Sequence, residues 1–385
     1  MNPFLELPGA IADSDFGVAA HYGEPLPEQR ALVEGGAIVD LSHNGIVVVS
    51  GEDRLSWLHS MTSQQLTGLR PGESVETILL DPNGRIERVM RLVDDGKRTW
   101  LLVDAGSAEP LAAFLTRMRF ALRVDVRDVS EEYAAVLAFE GPAAESLRAL
   151  HPAAEWRDPW AVVARGGVQY AHGEHPGADW SAVQFLFARD QLGAVAGLAR
   201  SGSVRAAGLM AIDALEVRAW RPSQHGEVDA RAIPHELDWM RTAVHMNKGC
   251  YRGQETVAKV HNLGHPPRRL VLLHLDGSGG ELPVTGALVY REGEAQDPES
   301  RPVGRVTRAV LHYEWGGIAL ALLKRAVAED APLELRAGET GADADSVEGQ
   351  LIAASQETVV PADAGRTRTI EPTARLTPRR ETPTG

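Results

Sequence analysis

The sequence contains a single cysteine, Cys250, among its 385 residues. One thiol cannot form an intramolecular disulfide, a four-cysteine zinc site or the full ligand set of an iron–sulfur cluster. No apolar run approaches the roughly 18 residues that a membrane-spanning helix needs, and the first residues lack the basic and apolar regions of a secretion signal. We therefore expect a cytoplasmic protein without membrane contact, in a compartment that keeps a free thiol reduced.

Basic charge is also scarce, because 39 Lys and Arg residues stand against 53 Asp and Glu residues, a formal net charge of −14. A chain this acidic is not expected to contact nucleic acid directly. The sequence has no P-loop, no G-x-S-x-G elbow and no G-x-G-x-x-G after a strand, which excludes common nucleotide and serine-hydrolase sites. With 44% apolar and 24% charged residues, the composition is nevertheless that of a folded globular protein.

Hydrophobic periodicity predicts an α+β fold. Strand and helix patterns follow one another over 45–126 in the order β-α-β-β-β-α-β, with hairpin-type turns between the strands. A similar order returns over 134–220, where two of the strands are predicted at 160–164 and 168–171. We therefore expect two split-βαβ layers with a junction near residue 130.

The ends of the chain depart from this pattern. Residues 1–20 are expected to form an N-terminal extension to the α/β part, which spans 21–265. Short strands between Gly- and Pro-rich turns predict a small β-barrel over 266–355. The chain then ends in a stretch rich in Pro, Thr and Arg, and 356–385 is predicted to be a disordered tail because it buries too little apolar surface.

The chemically most informative stretch is 233–265, which holds the only cysteine and four of the 13 histidines. Lys248 and Arg252 flank Cys250 in sequence, and a helix is predicted at Glu255–Val260. Positive potential near a helix N-terminus favours thiolate over thiol, which indicates a functional cysteine. The alternative is a small buried hydrophobe, since free cysteines are among the most buried residues.

The histidines of this stretch are a weaker signal. His261 and His265 are four residues apart and would share one face of a helix, but Gly264 and Pro266 disfavour a helix through both. A dedicated zinc site would need further ligands, and we predict no metal-ligating residues. A cluster shared with a partner, to which Cys250 contributes one bond, fits a single thiol better.

The stretch Lys248–Glu255 reads KGCYRGQE, which resembles the K-G-C-Y-x-G-Q-E signature of the YgfZ family, the folate-binding relatives of the glycine-cleavage T-protein. Ile233–Glu236 is similar to the family segment that precedes the signature. Leu80–Ile86 resembles the family's D-x-x-G-R-I turn, and Gly51–Gln65 its G-x-D-R-x-x-x-L-H-x-x-T segment. The resemblance covers approximately 20–355 and implies two intertwined T-protein-like α/β domains followed by a C-terminal β-barrel.

The resemblance also implies a function: binding of tetrahydrofolate or a derivative, in support of the assembly or repair of iron–sulfur cluster enzymes. Cys250 is then the functional thiol. Its partner would be an iron–sulfur enzyme, such as a radical-type tRNA-modifying enzyme, or a cluster carrier. The rest of the signature would surround the thiol: Lys248, Gly249, Tyr251, Arg252, Gly253, Gln254 and Glu255.

A folate ligand needs a carboxylate for its pterin, an apolar slot for the ring and a guanidinium for its anionic tail. Asp81 and Glu236 are candidates for the pterin, and Arg85 for the tail. The alternative for Asp81 is ordinary turn chemistry, because Asp-Pro-Asn-Gly is a good β-turn by itself. Trp220 and Trp239 either stack on the pterin or pack in the core.

Two departures from the T-protein pattern weaken a transferase interpretation. A catalytic aspartate would follow the glycine turn, where this sequence has Glu87 and Arg88, and the acidic residue of an R-x-E-A-G stretch is replaced within Glu216–Arg221. Folate-dependent aminomethyl transfer remains one alternative. A redox sensor or scaffold that forms a mixed disulfide through Cys250 is another. The sequence thus leaves open whether the protein is an enzyme.

Overall fold

The structure is a computed structural model that describes residues 2–277, 280–297, 299–336 and 351–367. None of the helices in these ranges is both long enough and apolar enough to cross a bilayer. The helices are α1 (Pro25–Val33), α2 (Arg54–Met61), α3 (Ala108–Met118), α4 (Pro142–Arg148), α5 (Leu192–Arg200), α6 (Leu209–Arg218), α7 (Gln224–Glu227) and α8 (Gln254–Leu263). Short 3-10 helices span Pro159–Ala161, Arg189–Gln191 and Pro234–Glu236.

The strands form a two-stranded sheet, β1 with β2, two five-stranded sheets and a closed barrel. Their bounds are β1 (Ile11–Ala12), β2 (Ala19–His21), β3 (Ala37–Asp40), β4 (Gly45–Ser50), β5 (Ser74–Leu80), β6 (Ile86–Asp94), β7 (Arg98–Val103), β8 (Asp125–Asp128), β9 (Tyr133–Phe139), β10 (Ala154–Arg157), β11 (Ala182–Ala188), β12 (Arg205–Ala207), β13 (Arg268–Leu275), β14 (Leu288–Arg291), β15 (Gly304–His312), β16 (Gly316–Lys324), β17 (Leu333–Arg336) and β18 (Leu351–Thr358). The α+β class with a C-terminal barrel is as predicted.

The first five-stranded sheet has the order β5-β6-β7-β4-β8 and is antiparallel throughout. Its sequence of elements, β4-α2-β5-β6-β7-α3-β8, is the predicted one. Because side chains alternate between faces, Met90 and Leu92 pack with α2 and α3 on one side. Ile78 and Leu102 join the central core on the other side. Both faces of this sheet are therefore buried.

The second five-stranded sheet has the order β10-β11-β9-β3-β12, and its β3–β12 pair is parallel. Strand β3 precedes the first sheet along the chain, whereas its neighbours in space follow it. The two α/β domains are therefore intertwined, as the resemblance implies. A single junction near residue 130 does not divide them, because the fully buried β3 belongs to the sheet otherwise built from later residues.

The expected N-terminal extension packs on the second sheet. Phe4 is fully buried in the cluster that also contains Ile38, and the side-chain amide of Asn2 donates to the Asp40 carboxylate at 2.6 Å. The β1–β2 loop carries Phe16, which packs against the central core. The N-terminal segment is thus part of the α/β body.

Two strands predicted within 160–171 are absent. The Asp158 carboxylate instead accepts the N–H of Trp160 at 3.1 Å and starts a 3-10 turn there. Trp160 is fully buried in the central core cluster, whereas Val162 and Val163 are 59% and 44% exposed. Val162 and Val163 have the β-branched side chains typical of a strand. The 3-10 turn, however, leaves this segment without a neighbouring strand to pair with.

The closed barrel has the order β13-β16-β15-β14-β17-β18. Its last strand continues to Thr358 and pairs with both β13 and β17, which leaves the barrel without an open edge. Val359 and Val360 are then fully buried. The predicted tail, 356–385, therefore begins too early, and residues 368–385 lie outside the described residues.

An ion-pair network joins the α/β body to the barrel. Glu236 is fully buried, and both of its carboxylate oxygens accept from the Arg268 guanidinium at 2.9 and 2.7 Å. Arg268 also donates to Asp229 at 2.6 and 3.0 Å. The more exposed Arg305 reaches Asp229 alone, at 3.0 Å. Arg268 is therefore the partner that neutralises a buried carboxylate.

The first prediction concerns this network. Arg268→Met should lower the free energy of unfolding by about 3–5 kcal/mol, because it leaves the Glu236 carboxylate buried without a cationic partner. Arg305→Met is the matched control and should cost less than about 1 kcal/mol, because its pair with Asp229 is partly solvated. Urea unfolding of both variants measures the difference. Equal losses for the two variants would contradict this account.

Candidate functional site

The segment 248–255 forms a loop that leads into α8, and Lys248 fixes its start. The Lys248 ammonium is buried and donates hydrogen bonds of 2.5, 2.6 and 2.9 Å. Its acceptors are the backbone carbonyls of His59, Thr62 and Gln64. Burial lowers the pKa of Lys248 to about 7, but only the ammonium has the three N–H donors that these carbonyls accept. Lys248 thus ties the loop to the end of α2.

Cys250 is exposed, which excludes the alternative of a small buried hydrophobe. The neighbouring Gly249 lies near an imidazole, because His59 Nε2 is 3.9 Å from the position that a Cβ on Gly249 would occupy. Burial, followed by the nearby Lys248 and His245, lowers the pKa of His59. The thiol is therefore accessible to another molecule, and the neighbouring Gly249 lies near a largely neutral histidine.

Two glycines allow the signature to pack on the turn after β5. Gly253 has a φ of 82°, and a Cβ there would lie 2.7 Å from the Asp81 carbonyl oxygen and 3.0 Å from Gly84 Cα. The turn and the signature, both singled out in the sequence, are therefore in contact. Gln254 begins α8, and Glu255 is exposed in its first turn.

The remaining signature side chains have structural partners. Arg252 forms a two-pronged ion pair with Glu87 at 2.8 and 3.1 Å, and its guanidinium lies 5.4 Å from the ring centroid of Phe114 on α3. The Tyr251 ring is buried, its centroid 5.0 Å from Lys248 Nζ. Burial raises the pKa of Tyr251, so this phenol stays protonated. These contacts hold the loop in place around the exposed thiol.

The structure does not bring the predicted folate contacts together in a pocket. Asp81 Oδ1 accepts the N–H groups of Asn83 and Arg85, both at 2.8 Å, which is the turn chemistry of the alternative interpretation. The Arg85 side chain is exposed. Glu236 has both oxygens engaged by Arg268. Glu236 is therefore corrected from a pterin contact to a residue of the body–barrel interface.

A central cavity of about 300 Å³ lies between the two large sheets, α6 and the barrel. Its apolar wall includes Leu41, Leu137, Leu209 and Ile212. Its polar wall includes Arg91, Asp104, Gln184, Asp213, Glu216 and Arg308. Asp81, Arg85, Glu236 and the signature residues are absent from this lining.

Two carboxylates one turn apart on α6 give the cavity its electrostatic character. Burial raises the pKa of Asp213 to about 7, against the opposing charge of Arg308. Burial likewise raises the pKa of Glu216, although Glu216 accepts from Arg308 at 2.7 Å. Asp213 is less engaged, because its distance to the same guanidinium is 3.8 Å and half of its side-chain surface, 49%, stays open towards the cavity.

Two buried polar atoms of the lining have no partner among the described residues: Gln184 Oε1 and His43 Nδ1. A buried acceptor without a donor is costly, so these atoms favour a ligand or ordered water in the cavity. With the half-open Asp213, the cavity offers acceptors beside an apolar wall. This combination fits a flat heterocycle with N–H groups along one edge.

The signature loop is separate from the cavity, because none of its residues lines that cavity. Arg91 of β6 points into the cavity. Its neighbour Met90 points to the other face of the sheet β5-β6-β7-β4-β8, where α2 and α3 pack. The signature loop contacts that second side through His59 at the end of α2 and Phe114 on α3. Its Tyr251, in contrast, packs in the central core cluster. The loop therefore borders both faces of the sheet, and Cys250 is exposed outside the cavity.

The two histidines considered as metal ligands have hydrogen-bond partners, and the two tryptophans considered for the pterin are buried. His261 Nδ1 is 2.8 Å from the Tyr170 hydroxyl, and His265 Nδ1 donates to a backbone carbonyl at 2.8 Å. Within the described ranges no three His, Cys, Asp or Glu side chains are grouped to hold a metal ion. Trp220 and Trp239 are buried in the core cluster and are absent from the cavity lining.

Comparison with known proteins agrees with this architecture. The family model described as the GCVT N-terminal domain matches residues 21–159. An aminomethyltransferase from Geobacillus kaustophilus is 30% identical over 290 residues, which cover 69% of this chain and 75% of that protein. The chain belongs to the aminomethyltransferase family.

Two further proteins are similar to this chain, one in sequence and one in structure. An iron–sulfur cluster assembly factor IBA57 homologue, a mitochondrial protein of Mycosarcoma maydis, is 26% identical over 274 residues, covering 64% of this chain and 59% of that protein. The crystal structure of the glycine cleavage system aminomethyltransferase T from Bartonella henselae superposes with a TM-score of 0.70 at 18% identity, covering 95% and 97% of the two chains. The latter establishes the shared fold.

Sequence reasoning missed the residues that line the cavity of this aminomethyltransferase-family protein. Asp213 and Glu216 had a usable signal, because they are three residues apart on a predicted helix and share a face with Leu209 and Ile212. Gln184 had no usable signal in the sequence. It is a single polar residue in an otherwise apolar strand, and its neighbours across the cavity come from distant segments.

The second prediction tests the close packing of the two motifs. Gly253→Ala should destabilise the protein by about 1–3 kcal/mol, because a Cβ meets backbone at 2.7 Å and the left-handed φ is strained for alanine. Gly249→Ala is the matched control and should change stability by less than about 0.5 kcal/mol, because its Cβ position is 3.9 Å from the nearest atom. Thermal unfolding compares them. A Gly253→Ala protein as stable as Gly249→Ala would refute the packing argument.

Proposed function

We propose that the protein binds tetrahydrofolate or a derivative in the central cavity and uses Cys250 to support the assembly or repair of iron–sulfur enzymes. The observation that carries this proposal is the pairing of an acceptor-rich, partly apolar cavity with the only thiol, which is exposed outside that cavity. One site suits a small heterocycle, and the other suits a macromolecular partner.

The cavity supports the folate part of the proposal by its chemistry. Asp213 and Gln184 would accept hydrogen bonds from the pterin N–H groups, and Leu137, Leu209 and Ile212 would contact the ring. A volume of about 300 Å³ suits a pterin better than a whole folate, so the tail would leave the cavity. Bound tetrahydrofolate supplies a reduced pterin that carries one-carbon units. Family membership supports this ligand class.

The exposure of Cys250 supports the iron–sulfur part of the proposal. A single thiol supplies one ligand at most, so a cluster at this position would be cargo whose remaining ligands come from a partner. Lys248 and the glycine-rich loop hold Cys250 at the surface without a covering side chain. The relative named as an iron–sulfur cluster assembly factor supports the same role. The partner would be an iron–sulfur enzyme or a cluster carrier.

Folate-dependent aminomethyl transfer is the second candidate, and one observation favours it. A carboxyl group with a pKa of about 7, open to the cavity, is a suitable general acid or base near neutral pH, and Asp213 is such a group. Against it, the carboxylate expected after the glycine turn is missing from the lining, because Glu87 pairs with Arg252 instead. A direct assay of aminomethyl exchange on tetrahydrofolate separates the two candidates.

The third prediction tests the role of the thiol. In cells that lack the protein, Cys250→Ala should fail to restore the activities of iron–sulfur enzymes, while the purified variant binds tetrahydrofolate with a Kd within about twofold of wild type. The physical reason is that Cys250 does not line the cavity. Enzyme assays on cell extracts and isothermal titration measure the two effects.

The matched control for this experiment is Asn247→Ala, which changes an exposed residue of the same loop and should rescue fully. Full rescue by Cys250→Ala would refute the cysteine-centred function. Partner proteins trapped on Cys250 only under oxidant, with no effect of folate, would instead favour the redox scaffold.

The fourth prediction follows from the pKa of Asp213. Since burial raises it to about 7, the ionised fraction rises from about one-tenth at pH 6 to about nine-tenths at pH 8. If the carboxylate accepts pterin N–H groups, tetrahydrofolate affinity should increase up to about tenfold over this range. Asp213→Asn should abolish the increase, whereas Asp179→Asn, at an exposed carboxyl, should retain it. A pH profile unchanged in Asp213→Asn would contradict the assignment.

A further inference from the structure

A second cavity, of about 430 Å³, lies beside the central one. Phe16 and His43 line both cavities, so these two side chains form a shared wall. The far side of the second cavity includes Ser42, Arg189 and Leu192. A ligand that extends past the shared wall would therefore reach a guanidinium.

Arg189 is held rigidly and has no carboxylate partner among the described residues. Its Nε donates to the Ser130 carbonyl at 2.7 Å, and its Nη2 donates to the Ser42 carbonyl at 2.8 Å. Its Nη1 makes no hydrogen bond within the described part of the chain. Backbone carbonyls orient the guanidinium without neutralising it, so a full positive charge remains at the cavity wall.

The acidic and titratable neighbours of this region form no ion pair with Arg189. The Asp40 carboxylate accepts instead from Asn2 at 2.6 Å and from the Ser42 N–H at 2.9 Å. Burial lowers the pKa of His43, despite the opposing effect of Asp40, so this imidazole is neutral. Its Nδ1 is buried without a partner. The second cavity thus combines a fixed cation with an unsatisfied polar atom.

We infer that the second cavity is a subsite for an anionic carboxylate tail, bound by Arg189, on a ligand whose ring occupies the central cavity. This inference rests on the proposed folate function and adds to it a tail subsite and a residue. It replaces the expectation from the sequence that Arg85 binds the tail, since Arg85 lines neither cavity.

The shared wall suits the part of the ligand between ring and tail. The Phe16 ring lies 4.8 Å from His43 and 5.3 Å from His225, centroid to centroid. Tetrahydrofolate joins its pterin to its glutamate through an aromatic aminobenzoyl group, which packs favourably against aromatic side chains. Phe16 belongs to the β1–β2 loop rather than to either large sheet, and in the inferred complex the ligand would pass this side chain.

The fifth prediction uses two probes that differ in the tail. Tetrahydrofolate carries the anionic glutamate, whereas 6-methyltetrahydropterin has the ring alone. Arg189→Met should weaken tetrahydrofolate binding about tenfold or more, the effect expected for a lost charge-assisted hydrogen bond, and change 6-methyltetrahydropterin binding less than about twofold. Isothermal titration measures both. Arg200→Met, at the exposed end of α5, is the matched control and should change neither.

The outcomes separate this inference from the proposed function. If Arg189→Met leaves tetrahydrofolate affinity unchanged, or weakens both probes equally, the tail subsite is overturned while folate binding stands. If neither probe binds the wild type, folate binding itself fails. A measurement without any variant gives the same test: tetrahydrofolate affinity should fall between 50 and 500 mM salt, and that of the uncharged pterin should not. Equal salt dependence of the two probes would overturn the subsite.

Discussion

The five-stranded sheet β5-β6-β7-β4-β8 buries both of its faces, and the rest of the functional arrangement depends on this constraint. One face closes the central cavity, to which β6 contributes Arg91. The other face packs α2 and α3, against which the signature loop is anchored. Cys250 is exposed and does not line the cavity, so the proposed ligand and the proposed partner would contact different residues.

The loop that carries Cys250 is built to keep its thiol at the surface. A buried ammonium donating to three carbonyls is expensive to remove, because each carbonyl would lose a charge-assisted bond. Lys248 makes these bonds at one end of the loop, and Gly253 permits backbone contact with the turn after β5 at the other. Between these two fixed points Cys250 remains exposed. The contacts at its two ends thus hold the loop in place, whereas the thiol between them stays accessible.

Local patterns in the sequence predicted the parts of the fold that depend on local chemistry. The hairpin turns and alternating strands of the first sheet, the change to short strands after Pro266 and the signature loop all follow from neighbouring residues. The parallel pairing of β3 with β12 joins residues 37–39 to 205–207 and has no local signal. The partner of Glu236 was missed for the same reason, because Arg268 belongs to the barrel.

The candidate site likewise has one part that local sequence predicts and one part that it does not. Cys250 and its shell were identified from a contiguous motif, whereas the cavity is assembled from segments distant in sequence. Asp213 comes from α6, Gln184 from β11 and Arg308 from β15. In the sequence, Asp81 has the side chain of a ligand-binding residue, but its carboxylate accepts backbone N–H groups of its own turn. Only the three-dimensional arrangement distinguishes such a turn residue from a binding residue.

The account is tested most directly by titration of tetrahydrofolate into protein whose only cysteine has been alkylated. Iodoacetamide modifies a single site, because Cys250 is the one thiol of the chain and is exposed. Tetrahydrofolate is expected to bind with the same Kd before and after alkylation, since Cys250 does not line the cavity. Loss of binding on alkylation, or no binding to either form, would contradict it.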